Sequence, residues 1–168
     1  MKKELKWALF ITVLAFIITV FFSSISQFLL NDITTIVGII IIIMFIVIGV
    51  LFDIIGVAVQ SSNEEPFHAM ASKKIKGAVR AKKMIKNAAR VSSFCNDVIG
   101  DICNIITGSS TMIVAGNLAL KYDWNFGIVT LVFTGIVASL TIGGKALGKE
   151  IAVKNSEKII HTVSKIIK

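Results

Sequence analysis

Four side chains carrying hard oxygen ligands, Asp53, Asp97, Asp101 and Asn104, and one ammonium, Lys145, stand inside or at the ends of runs that are otherwise apolar. Carboxylate and carboxamide oxygens suit Mg²⁺, Ca²⁺ or Mn²⁺, and no thiolate or imidazole cluster accompanies them to favour zinc or copper. The stretch FCNDVIGDICN, residues 94–104, holds three of the four. Taken at 100° per residue, Asp97, Asp101 and Asn104 lie within about 60° of one another on one helix face, with Ser93, Gly100, Gly108 and Thr111 on or beside that stripe. A second stripe runs through Gly49, Asp53, Gly56 and Gln60, and a third through Thr134, Ala138, Thr141, Lys145 and Gly148, with Gly144 beside it. Small residues let helices approach closely and polar groups between them need partners, so the three stripes are expected to face one another.

Depth along the helices sharpens the expectation. Asp53 comes 20 residues after Ile33, Lys145 comes 19 after Phe126, and Asp97 and Asp101 open a run that travels the opposite way. All four charges then meet near one membrane boundary. Three carboxylates and one ammonium leave a formal charge of −2, which one divalent cation would balance. Two other readings stay open: charges that simply reach interfacial water, and an Asp–Lys ion pair that locks the helices together.

The elements that must hold these groups are membrane helices. The chain has 168 residues, of which 55% are hydrophobic, with a mean hydropathy of +0.83, too apolar for a domain whose surface is wetted on all sides. Four runs are long enough for a hydrocarbon core of roughly 30 Å, and the expected spans are about 7–30, 33–59, 95–120 and 126–147. Pro66, the only proline, lies outside them all. Seventeen of eighteen lysines and arginines fall before the first run, between the second and third, or from Lys145 onward, and only Lys121 lies in the opposite loops. That asymmetry predicts four spans with both termini cytoplasmic and short external loops at Asn31–Asp32 and 121–125. Trp7, Tyr122 and Trp124 suit interfacial anchors. The first run exceeds a signal-peptide core and lacks a small-x-small site, so an uncleaved span is expected. Cys95 and Cys103, eight residues apart, are too distant on one helix for a disulfide and are read as packing residues.

Between the second and third spans, Phe67, Met70, Ala71, Ile75, Ala78 and Ile85 recur among eight basic residues. The pattern predicts one basic amphipathic helix over about 66–88 at the inner membrane surface, starting from a turn in which Asn63 caps. A second amphipathic helix is expected over the tail, 149–168. His68 has no second ligand at metal spacing and reads as solvated. The net charge of +8 sorts by topology, so no nucleic-acid partner is expected. An enzyme is the least expected class, because no nucleophile–base pair, histidine triad or phosphate loop is present.

The order of FDIIGVAV, ASKKIKGAVRAKKMIKNAARV, GDICNIITGS and IGGKALGKEIAVKNSEK resembles the transmembrane domain of the CorB/CorC and cyclin M magnesium and cobalt transporters over roughly residues 33–158. The resemblance implies an all-α membrane protein of the bacterial plasma (inner) membrane, with one extra N-terminal helix before a three-span core and a basic juxtamembrane cytoplasmic helix, all in one transmembrane domain, 1–168. It implies a homodimer that binds Mg²⁺ or Co²⁺ between its helices, with Asp53, Asp97, Asp101 and Asn104 as ligands and Ser93, Gly100, Thr141 and Gly144 in support. The closing motif departs from the family, whose ion-site glutamate and proline are here Lys145 and Gly148. Lys145 is therefore a counter-charge or gate, and a non-transporting scaffold or regulatory subunit is the alternative expectation. The family's cytoplasmic nucleotide-sensing domains are not expected in this chain, so a cytoplasmic regulatory protein would have to supply that control.

Overall fold

The computed structural model describes the backbone of residues 2–31 and 35–167 and the side chains of residues 6–21, 23, 24 and 35–167. Asp32 of the first external loop, the expected start of the second span at Ile33, and the side chains of Lys2 and Lys3 lie outside the described residues. Every element among those residues is helical: α1 (Lys2–Asn31), α2 (Thr35–Ser61), α3 (Glu65–Ser72), α4 (Ala78–Lys86), α5 (Ala88–Ser93), a π-helical segment (Phe94–Gly100), α6 (Asp101–Tyr122), α7 (Phe126–Lys154) and α8 (Ser156–Ile166). Isoleucine and valine, which dominate α2, are mediocre helix formers in water. In a bilayer every backbone polar group must be satisfied within the chain, and a helix does this whatever the side chains.

Among the described residues three helices are long and apolar enough to cross a membrane, Thr35–Ser61, Ala88–Tyr122 and Phe126–Lys154, with a shorter apolar helix at Lys6–Phe21. Their outward faces carry Phe16, Ile36, Ile40, Leu131, Ile142 and Leu147, all well exposed. Such surfaces are tolerated where lipid rather than water surrounds them. The chain is a multi-pass helical membrane protein whose partner on these faces is the bilayer. Hydroxyls on the helices mostly bond back to their own backbone: Thr12 donates to Ala8 O at 2.9 Å, Thr111 to Thr107 O at 2.7 Å and Thr141 to Val137 O at 2.8 Å.

The chain divides into two compact units, Met1–Gly49 with Asp101–Gly143, and Val50–Gly100 with Gly144–Lys168. In the first unit α6 is the inner helix, burying Cys103, Ile106, Ser110, Thr111, Val114 and Ala115, and α1 packs along it. Gly49 of α2 lets the helix approach α6 closely, since a Cβ there would sit 3.3 Å from Cys103 Cβ. Ile42, Val114 and Val137 form its apolar core. Between α6 and α7 the chain turns at Asp123, which has a positive φ of 52°. Asn125 then accepts the Ile128 N–H at 3.2 Å and opens α7. Tyr122 and Trp124 stack at 5.0 Å in this loop.

In the second unit Ala58, Val59, Phe67, Ala81, Ile85, Ala152 and Ile160 form one core, to which α2, α3, α4, α7 and α8 all contribute. The single helix expected over about 66–88 is two helices here. Lys74 (φ 54°) and Gly77 (φ 90°) adopt left-handed backbone conformations between them, and glycine accepts such a φ without the Cβ penalty. Gly77 is also a contact point, because a Cβ on it would lie 2.8 Å from Ser164 Oγ of α8. The turn therefore folds α4 back against α8, and Phe67, Ala78 and Ile85 are buried within the unit rather than laid on lipid. The N-cap of α3 is Glu64, with no side-chain cap bond, and Pro66 occupies the first turn; Asn63 does not cap. At the other end α7 continues to Lys154 without a break near 147, and α8 follows after Asn155.

Candidate functional site

Within the second unit, Asp53 is 6% exposed, and its Oδ2 is buried with no hydrogen-bond partner. One turn further along the same face of α2 is Gly56. A Cβ on Gly56 would overlap Asn96 Oδ1 and come within 2.7 Å of Asn96 Cγ, so the carboxamide rests directly on the glycine backbone. Asn96 Nδ2 donates to Ser92 Oγ at 3.3 Å, which fixes the orientation of the amide. Its Oδ1 is buried and unpartnered. The unit thus holds two oxygen acceptors, one of them a carboxylate, on facing surfaces and without a donor. A buried anion in this condition costs several kcal/mol unless a positive charge compensates it.

Lys145 supplies a nearby cation but does not spend it on Asp53. Its side chain is half-buried in α7, and Nζ lies 3.8 Å from where a Cβ on Gly100 would sit. Gly100 is buried at the end of the π-helical segment, four residues after Asn96. Neither Lys145 nor Asp53 is in an ion pair among the described residues, whereas His68 pairs with Glu64 and Lys154 with Glu150. Two further glycines seat α7 on α2: a Cβ on Gly144 would be 3.1 Å from Val50 Cγ2, and one on Gly148 would be 2.8 Å from Ile54 Cγ1. Gly148, which stands where the resemblance expects proline, is thus a point of close helix packing.

The remaining expected ligands are divided between the two units. Asp97 is exposed and belongs to the second unit, with Ser93 half-buried beside it. Asp101 is exposed and Asn104 half-buried, and both belong to the first unit, as does Thr141, whose hydroxyl is committed to Val137 O. No group of three or more His, Cys, Asp or Glu side chains able to hold a metal occurs among the described residues. The expected stripe on the third span begins within the segment Phe94–Gly100. That segment is π-helical, and π bonding runs i→i+5 instead of i→i+4, so a projection at 100° per residue loses its register there.

Asn96 and Ser92 are what that projection passed over. Ser92 and Asn96 are joined by a hydrogen bond across four residues, and Gly100 closes the π-helical segment four residues later. Cys95 and Cys103 are both buried and are not bonded to each other. Comparison with protein-family models, with curated proteins and with solved structures finds no match.

Proposed function

We propose that this protein binds a divalent cation between its membrane helices and carries it across the bilayer, with Asp53 and Asn96 as the central protein ligands. The carrying observation is the pair of buried, donor-free oxygens, Asp53 Oδ2 and Asn96 Oδ1. Hard oxygens of this kind recognise Mg²⁺, and Co²⁺ as a second substrate, and Mg²⁺ keeps several waters, so two protein ligands are enough to anchor it. Asp97, exposed and negative in the same unit, raises the local cation concentration.

The topology proposed with this function has four spans and both termini cytoplasmic, following the lysine and arginine asymmetry. α3, α4 and α8 then lie on the cytoplasmic side of a bacterial inner membrane. The resemblance to CorB/CorC and cyclin M transporters adds a homodimer to the proposal. Lys145 favours one competing reading, a scaffold or regulatory subunit in which its ammonium takes the cation's place and a cytoplasmic partner docks. The lack of an ion pair to Asp53 speaks for the transport reading.

Purified chain in proteoliposomes should take up Mg²⁺ or Co²⁺, and Asp53→Asn should lower the rate at least about tenfold, the effect of roughly 1.4 kcal/mol of lost binding. Absence of both flux and binding in the wild type, with binding gained by Lys145→Glu, would establish the scaffold instead.

A further inference from the structure

The structure points to a surface docking device at the α4–α8 corner of the second unit, and we infer that it engages the anionic headgroups of the leaflet in which the chain is embedded. The apolar faces of α4 and α8 are largely consumed by the unit's own core, yet four aliphatic side chains are left outside it. Val79 is 70% exposed, Ile166 75%, Ile167 51% and Ile75 39%. Two contacts gather them into one place. Gly77 sits against Ser164 and Lys165, and the Arg80 guanidinium donates to the backbone oxygen of Ile167.

The charged residues of α4 and of the segment before it, Lys73 to Lys86, are all basic. Lys74, Lys76 and Lys165, all exposed, flank the aliphatic cluster. No acidic residue occurs between Pro66 and Asn96 or after Glu157. Exposed aliphatic tips with lysines beside them match the headgroup and acyl boundary of an anionic leaflet, where the tips insert and the ammoniums meet phosphate. Four side chains expose far less than the ~800 Å² per partner that a stable protein interface buries. The tether is short as well: α8 follows the membrane helix α7 after Asn155 alone, and α3 follows α2 after three residues.

The test places Val79→Trp in a chain carrying Trp7→Phe and Trp124→Phe, reconstituted in nanodiscs of brominated phosphatidylcholine with or without phosphatidylglycerol. Tryptophan quenching should rise several-fold only with the anionic lipid and reverse at high salt. Each of Lys74→Glu, Lys76→Glu and Lys165→Glu should weaken it about fivefold or more. Equal quenching in neutral and anionic discs, or none in either, overturns the inference. Should the tryptophan variant fail to fold, acetylation footprinting of the wild-type chain gives an independent reading. Lys74, Lys76 and Lys165 should be protected in anionic discs and not in neutral ones. Protection that appears only on adding an acidic peptide would assign the corner to a protein partner and overturn the lipid reading.

Discussion

Asn96 lies against the bare backbone of Gly56, close enough that even a methyl group on the glycine would overlap its carboxamide. Alanine normally gains about 1 kcal/mol over glycine inside a helix. Here the overlap reverses the sign: the amide has to leave Ser92, so Gly56→Ala should destabilise by about 1–3 kcal/mol. Gly108→Ala, where nothing lies within 4 Å of the new Cβ, is the control and should be neutral or stabilising. Thermal unfolding of the two variants in detergent compares them.

Asp53 should report the cation thermodynamically. Without divalent cation, Asp53→Asn removes an uncompensated buried charge and should leave the protein as stable as wild type or more so. With cation at a hundredfold above its dissociation constant, the wild type should gain about 2.7 kcal/mol and the variant almost nothing. Unfolding followed across a Mg²⁺ titration checks both arms.

Lys145→Glu adds a carboxylate beside Gly100 in place of an ammonium. It should strengthen Mg²⁺ binding by at least about tenfold, a change of roughly 1.4 kcal/mol, measured by calorimetry on the detergent-solubilised chain. An unchanged affinity would detach Lys145 from the site.

Gly77→Ala combines a left-handed backbone with a Cβ 2.8 Å from Ser164 Oγ. The conformational penalty alone is about 1–2 kcal/mol. Hydrogen exchange should accelerate in α4 and α8 and stay unchanged in α6.

What could be read in the sequence depended on which physical period governs each segment. Thr35–Ser61 and Phe126–Lys154 were legible because hydropathy decides them, and length in a bilayer does the rest. The turn at Lys74–Gly77 was not, because the lysines and small residues of KKIKGA keep helical spacing right through it. Only the docking of Gly77 on α8, a contact between residues 87 positions apart in the case of Arg80 and Ile167, makes a break there worthwhile. Asp53 was legible as the one charge within its run. Asn96 was hidden by an assumption of 3.6 residues per turn across Phe94–Gly100, where the helix does not keep it.

That π-helical segment has a consequence for how the chain tolerates change in length. Its wider turn accommodates one residue more than an α-helix would over the same rise, so it absorbs a residue inside the 35-residue helix Ala88–Tyr122. Deleting one residue between Phe94 and Gly100 would let ordinary helical bonding run through, and would change the angle at which Asn96 stands relative to Ser92 within the second unit. The sequence composition would hardly change and hydropathy would still describe a sound span. The amide that now lies on Gly56 would point elsewhere through a change of angle alone.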